Sequence, residues 1–431
     1  MRRCVPILIV VALFTLNGCA VKNKPVTVTV FGDVNRVFET DNTGFGSLDS
    51  FHQRYPDIKV EVISEYNEWE ILQKTRGMLS DKSQRESAPD VIEMPGSWIG
   101  ELAASGLLLP LDDWYESLSV EERTDYLPPL LTSYRSDGKL YGMPALVGMQ
   151  YLYGRKDLFK GRPLPKTLND LIVMSRTLHK ESDIQGLIFP SEGVHLATFY
   201  YTLYKIALQT CDIPVVRRKA HMLAYQALKI LVEENQPDLD KFSHSVSEGE
   251  FRSGRAAMSI NGNYVWYLLH QSEKVGFPVG PQKVTTGLLP GIDHAAVPRD
   301  FIWSRGYAIN AATKHPEKAL QVLKHLTSAE MGFSRLRDRF ILPARKSVAV
   351  YGASLPAMQP EAVKVFYKED VGAAAPVALE EISESPARWR ESVERVVQIL
   401  RDALKNGTTA PEVADAMMAL EEGTTNLEGD E

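Results

Sequence analysis

Apolar and polar positions alternate along most of this chain with a period that switches between two and about 3.6. The switch recurs so regularly that it sets the fold class. Val26-Thr27-Val28-Thr29-Val30-Phe31 alternates and is β-branched, which predicts a strand. Leu48, Phe51 and Tyr55 recur at helical spacing, and Pro56 ends that helix by restricting the residue before it. Lys59 to Ile63 alternates again. Ile71, Leu72, Thr75, Met78 and Leu79 share one helical face. Val91-Ile92-Glu93-Met94 reads as a short buried strand, followed by a helix through Leu102. Strand–helix–strand–helix–strand predicts an α/β fold, with parallel strands and helices on the faces of the sheet. Further on, Thr167 caps a helix to Leu178 after Pro165. A strand follows at Leu187–Phe189, then helices at Leu196–Leu208 and Val215–Glu234. Pro316 opens a helix with Ala319, Leu320, Leu323 and Leu326 on one face, and Pro386 opens a late one through Leu404. No internal repeat is present. Gly423 to Glu431 is small and acidic and is expected to fray.

The N-terminus breaks this pattern and sets the compartment. Behind basic Met1-Arg2-Arg3, Val5 to Leu16 is an unbroken apolar run. A run of about a dozen residues is too short for a bilayer core of ~30 Å, which takes ~20 residues of helix. It reads as a secretory signal, removed from the mature protein. It ends in Leu16-Asn17-Gly18-Cys19, which resembles the bacterial lipoprotein signal, in which the Cys is diacylated and becomes the new N-terminus. Cys4 falls in the removed segment and Cys19 would carry lipid. Cys211 is left alone in the body, so neither an intramolecular disulfide nor a Cys-rich metal site is available. Losing Arg2 and Arg3 moves the formal charge from −7 to −9. An acidic surface argues against nucleic acid, which demands a basic one. The length suggests about two domains.

Several segments resemble the family-1 extracellular solute-binding proteins, the sugar-binding group that includes the maltose-binding proteins. They are Phe51-His52-Gln53-Arg54-Tyr55-Pro56-Asp57-Ile58, Ala88-Pro89-Asp90-Val91-Ile92, and Glu101-Leu102-Ala103-Ala104-Ser105-Gly106-Leu107 onward to Asp112. Asp137-Gly138-Lys139-Leu140-Tyr141-Gly142-Met143-Pro144 follows, then Tyr153 with Lys156-Asp157-Leu158-Phe159. Phe251 to Gly262, Lys318-Ala319-Leu320, Pro343-Ala344-Arg345-Lys346-Ser347 and Gly407-Thr408-Thr409 complete the order. Each is weak alone, but together they keep the family's sequence over residues 50 to 415. The resemblance implies a two-lobed periplasmic-binding-protein-like fold. Each lobe is a mainly parallel sheet flanked by helices, and hinge strands join the lobes, which close on a ligand. It divides the chain into a signal (1–18), a tether (19–25), a first lobe (26–143 with 302–342), a second lobe (144–301 with 343–422) and a tail (423–431). The partners it implies are a carbohydrate, the permease subunits of an ABC importer, and the membrane through lipid on Cys19. No cofactor, no metal and a monomer are expected, outside the cytoplasmic membrane.

A pyranose has apolar C–H faces and a rim of hydroxyls, so its site needs flat aromatic rings and fixed hydrogen-bonding groups. Micromolar affinity corresponds to about −8 kcal/mol, which takes two or three stacked rings plus several hydrogen bonds. Tyr264 and Trp266 follow the segment Phe251–Gly262 at the turn where the family carries an aromatic against sugar, with Asn263-Tyr264 in place of the family's Pro-Trp. Trp303 and Arg305 lie where the chain re-enters the first lobe. Ser97 and Trp98 follow the strand Val91–Met94, at the C-terminal edge that ligands favour in open α/β sheets. Asp33 after the first strand, and Tyr66 and Trp69 after the second, share that logic. Gln150 and Tyr151 follow the first hinge crossing, and Glu192 and His195 follow the strand Leu187–Phe189.

Catalytic signatures are missing. No His-x-x-x-His or His-x-His pair occurs. Gly96-Ser97-Trp98-Ile99-Gly100 is not a G-x-S-x-G elbow, because its Ser directly follows the first Gly. No phosphate loop ends in Gly-Lys-Ser/Thr, so ATP hydrolysis belongs to another subunit. The Tyr200-Tyr201 pair resembles that of ferric-ion binders but sits in an apolar helix, where core packing accounts for it. Two alternatives to sugar capture remain open: a non-sugar solute such as a polyamine on the same scaffold, and a lipid-anchored hydrolase.

Overall fold

The structure, a computed structural model, describes residues 24–32, 48–64, 68–81, 83–208, 214–235, 238–291, 302–352 and 389–425. The signal segment, Cys19 and Cys211 lie outside the described residues. Eleven strands are described: β1 Val26–Gly32, β2 Ile58–Ser64, β3 Val91–Pro95, β4 Arg135–Ser136, β5 Lys139–Leu140, β6 Gly142–Arg155, β7 Gln185–Ile188, β8 Ala256–Gly262, β9 Val284–Gly287, β10 Ile302–Ile309 and β11 Leu342–Pro343. Nine of them form one sheet along the path β2-β1-β3-β10-β6-β8-β7, with β9 and β11 also paired to β6.

The parallel ladders lie toward the two ends of this sheet: β1 with β2 and β3 at one end, and β7 with β8 at the other. The middle is antiparallel, because β6 and β10 cross from one wing to the other. β6 carries the crossing. Its fourteen residues are buried except Arg155, and they read as a near-continuous apolar run, as strands covered on both faces do. From Gly142 to Met149 it pairs with β10, and from Gln150 to Gly154 with β8. The ladder thus changes partner between Met149 and Gln150, whereas the sequence reading ends the first lobe at Met143.

Pro144 sits inside β6 and has no N–H to donate, and the ladder to β10 shifts register opposite it, between Arg305 and Gly306. Gly306 is required there, since a Cβ would lie 1.9 Å from the Met143 carbonyl oxygen.

Conserving polar bonds explains several sequence motifs. Asp90 precedes β3 and accepts from the Thr29 amide at 2.8 Å, the Thr29 hydroxyl at 2.9 Å and the Thr313 hydroxyl at 2.5 Å. It therefore ties β1 to the loop after β10. Arg345 is buried. It donates to the Thr327 carbonyl and to the Tyr126 hydroxyl, pairs with Asp125 at 3.2 Å, and lies 4.1 Å over the Tyr126 ring. The Pro343–Ser347 motif thus clasps two distant segments together.

Helices cover both wings. The Pro316–Leu326 helix packs on β1, β3 and β10. In the other wing the Val194–Leu208 and Pro214–Asn235 helices pair, and the closing helices Trp389–Asn406 and Ala410–Thr425 lie on them. That last helix continues through Gly423 to Thr425, into the segment expected to fray. Thr167 caps the Leu168–Ser182 helix in a reciprocal box with Asp170. Tyr200 and Tyr201 are buried in the core, as the apolar helix around them required.

Candidate functional site

Strand directions bring the two wings' C-terminal edges to one place. β3 is antiparallel to β10 and β10 to β6, so β3 runs the same way as β6; β8 runs against it. The chain therefore leaves β3 and β8 toward each other. Pro95, at the end of β3, lies opposite Arg305, which faces Leu146 of β6. Gly262, at the end of β8, lies opposite Gln150. Leu146 and Gln150 are four residues apart on one strand, ~13 Å along it. Both carboxyl edges thus converge on the middle of β6, where open α/β sheets place their ligands.

On the first-wing side the wall is ionic. Glu93, on β3, and Arg305, on β10, are both buried and form an ion pair, Nη1 to Oε1, at 3.3 Å. Gly32 makes room for it: a Cβ there would fall 2.6 Å from the Glu93 carboxylate. Ser97 and Trp98 follow β3 in the single turn Gly96–Trp98, both buried, with Trp98 part of the main hydrophobic core. Arg305 lies opposite Pro95 in the convergence zone, and Ser97 follows β3 there. Trp303 lies on β10 opposite Gly148 and Trp69 in the Glu68–Ser80 helix, but their side chains, like Asp33 and Tyr66 altogether, lie outside the described residues.

On the second-wing side the wall is a network of neutral groups, with the Glu248–Arg252 ion pair, at 2.9 Å, within the His244–Arg252 helix. Backbone bonds from Ser191 and Glu192 to the Phe242 carbonyl draw the loop after β7 against the start of the His244–Arg252 helix. The His195 and His244 rings meet there edge to face, with centroids 3.9 Å apart. The Tyr264 ring follows at 5.8 Å from His244, at the N-cap of the Val265–Gln271 helix. Asn261 Oδ1 is the hub: it lies 3.0 Å from the Tyr264 hydroxyl, 3.0 Å from His244 Nδ1 and 2.8 Å from the Gly262 amide. Burial, and then the Glu248 carboxylate, push the Tyr264 phenol far up, so it keeps its proton.

Asn263 stitches this turn to the crossing strand. Its Oδ1 accepts from the Met149 amide, its Nδ2 donates to the Val147 carbonyl, and its own amide donates to the Met149 carbonyl. Gln150 is buried and accepts from the Thr202 hydroxyl at 3.3 Å. Trp266 and Tyr151 are buried in the second hydrophobic cluster with Val147, Met149 and Leu336. Glu192 is exposed and His195 half-buried.

The sequence reading missed Glu93, His244 and Asn261. Two of them carried a signal. Glu93 is a charge inside Val91-Ile92-Glu93-Met94, and Asn261 a polar side chain in the apolar strand Ala256–Gly262. Buried strands keep such groups only with partners. His244, in a polar stretch, carried none.

Among the described residues no group of three or more His, Cys, Asp or Glu could hold a metal ion, and no helix is long and apolar enough to cross a membrane.

A family model described as bacterial extracellular solute-binding protein matches residues 35–332. A galactooligosaccharide-binding protein of Bacillus subtilis is 26% identical over 273 residues, which is 61% of this chain and 62% of that relative's length. Maltose-bound MalE3 of T. maritima superposes with a TM-score of 0.72 at 20% identity, covering 92% of this chain and 99% of the other. A solute-binding protein of Thermotoga lettingae, bound with α-D-tagatose, also reaches 0.72 at 19% identity, covering 94% and 99%. These likenesses establish the two-lobed α/β fold.

Proposed function

Because the chain belongs to the bacterial extracellular solute-binding proteins, we propose that it captures a carbohydrate, an oligosaccharide, between two closing lobes and hands it to the permease subunits of an ABC importer. Lipid on Cys19 holds it to the membrane as a monomer, and it turns nothing over. The observation that carries this reading is the convergence of both lobes' strand ends on β6, with a fixed aromatic, Tyr264, and buried polar groups from both sides. A ligand touching both lobes binds the closed form better than the open one, and only that difference shifts the equilibrium. The galactooligosaccharide-binding relative and the maltose- and tagatose-bound structures favour a sugar.

Tyr264 supplies one stacking face in this reading, with Trp303, Trp69 and Tyr66 as further rings and Asp33, Ser97, Gln150, Glu192, His195 and Arg305 as hydroxyl partners. Trp98, Trp266 and Tyr151 support the walls from the core side. Titration calorimetry against galactotriose, maltotriose, xylotriose, ribitol and spermidine tests it. Binding of at least one sugar is expected, weakened about tenfold or more by Tyr264→Ala at a temperature where both apo proteins are fully folded. Spermidine binding with no sugar binding transfers the scaffold to polyamines. Full sugar affinity in Tyr264→Ala removes the assigned site.

A further inference from the structure

Tyr264 has two parts that could meet a sugar, its ring and its hydroxyl. Hydrogen-bond accounting around Asn261 decides between them. The His244 carbonyl can only accept, so Ser247 Oγ, 3.0 Å away, donates to it. The Ser247 oxygen then accepts from the Asn261 side chain at 3.0 Å, and the atom facing it is therefore the amide nitrogen. The Gly262 N–H can only donate, so the atom 2.8 Å from it is the amide oxygen. Two independent constraints orient the Asn261 amide the same way. Its Oδ1, an acceptor only, lies 3.0 Å from His244 Nδ1. Were Nδ1 unprotonated, two lone pairs would face each other across that distance. His244 thus carries a proton on Nδ1 in the neutral ring as well as in the cation. The Tyr264 hydroxyl, 3.2 Å from Nδ1 and 3.0 Å from Oδ1, cannot donate to a protonated nitrogen; its single proton goes to Asn261.

We infer that Asn261 and His244 are positioning residues that hold Tyr264 by its hydroxyl, leaving its ring alone to meet the ligand. The phenol is tied at its far end to a fully buried amide, and Tyr264, two residues past the end of β8, is partly buried against the second hydrophobic cluster. A stacking plate works only if its angle is fixed before the sugar arrives, because ordering it on binding subtracts from affinity. The hydroxyl serves that purpose and touches no sugar. This inference rests on the sugar-capture reading of the same site.

The test pairs a ligand-free readout with a binding one. In wild type, imidazole 15N spectra are expected to show His244 protonated at Nδ1 in its neutral form, and Asn261→Leu releases that tautomer. Galactotriose and maltotriose are the binding probes. Tyr264→Phe and His244→Leu each weaken binding roughly five-fold, the equivalent of one hydrogen bond. The double variant is no weaker than either single one, since His244 and the Tyr264 hydroxyl meet at the one Asn261 oxygen and act on the ring through it. His244→Asn, which keeps a donor near the Nδ1 position, recovers most of the affinity. A neutral His244 unprotonated at Nδ1, or additive losses in the double variant, overturns the inference. So does full affinity in both His244→Leu and Tyr264→Phe while Tyr264→Ala is weakened, and in that case the sugar-capture reading stands. If neither sugar binds wild type, or Tyr264→Ala binds as wild type does, both fall together.

Discussion

The two walls that meet at the middle of β6 are built from opposite chemistry. The first-lobe wall rests on a buried ion pair, Glu93 with Arg305, bridging β3 and β10. The second-lobe wall is a hydrogen-bonded network of neutral groups, Asn261, His244, Ser247 and Tyr264, and the nearby Glu248–Arg252 ion pair lies within the His244–Arg252 helix and bridges no strands. Ions taken out of water are costly and must be repaid by geometry, so a wall of this kind fails abruptly when one partner goes. A neutral network loses one bond at a time. The first lobe therefore behaves as a rigid anvil, and the second as the wall whose surface can be tuned without unfolding it.

Removing one ion gives the largest expected effect. Arg305→Met takes the counter-ion from the buried Glu93 carboxylate, and roughly 3–5 kcal/mol of stability is lost. Glu93→Met with Arg305→Met replaces both charges by apolar groups of similar volume and returns most of it. Asn261→Leu, in the neutral wall, costs about 1–3 kcal/mol. Urea unfolding ranks the three. If Arg305→Met is no more destabilising than Asn261→Leu, the contrast between the walls is wrong.

Acid should separate the lobes next. His325, in the Pro316–Leu326 helix of the first lobe, packs 5.0 Å from the Phe51 ring. Burial, then the Arg54 and Arg335 guanidiniums, pull its pKa from 6.5 down to about 4. Its folded value lies below its unfolded one, so the unfolded chain takes up the proton first. The stability is whole above pH ~6.5 and drains as pH falls to ~4, a loss on the order of 3 kcal/mol. In the second lobe burial raises Glu248 above its ordinary 4.5, against the pull of Arg252. The sign is reversed there: its contribution favours folding below the unfolded value and is lost as pH rises through the folded one. Hydrogen exchange across this window is expected to speed up at β1 and β3 well before β7 and β8, and His325→Leu flattens the difference. Equal acceleration in both lobes contradicts the assignment.

These contrasts were only partly legible in the sequence. Periodicity located β1, β2, β3 and β7 and most long helices because each had a face to bury, but not β6 or β10, and Thr167 and Pro316 marked helix starts by local chemistry. The motifs were legible as motifs but not as jobs. Asp90 and Arg345 stand in the sequence only as members of short motifs, and both turn out to tie distant segments together. The packing of Trp266 and Trp98 carried no sequence sign, because which face of a short helix looks inward depends on neighbours far away in the chain; both are buried in the core clusters. Long-range partners were the missing information. Glu93 meets Arg305, and His244 meets Asn261 and Tyr264, only after the sheet has formed.

The smallest effect sharpens the comparison by standing outside it. Thr167 caps the Leu168–Ser182 helix in the second lobe: its hydroxyl accepts from the Asp170 amide at 3.0 Å, and Asp170 accepts from the Thr167 amide at 3.1 Å. Thr167→Ala removes one of these bonds and exposes a helix N–H without a partner, at a cost of about 1 kcal/mol. Both bonds of the box run between Thr167 and Asp170, within the first turn of one helix. Urea unfolding should therefore report the loss, while sugar affinity and the His244 tautomer stay at wild-type values. A stability loss of similar size from Tyr264→Phe would come with weaker sugar binding, because that hydroxyl holds the ring. Should Thr167→Ala weaken binding as much as Tyr264→Phe does, affinity is following general stability, and the second wall has no local tether to tune.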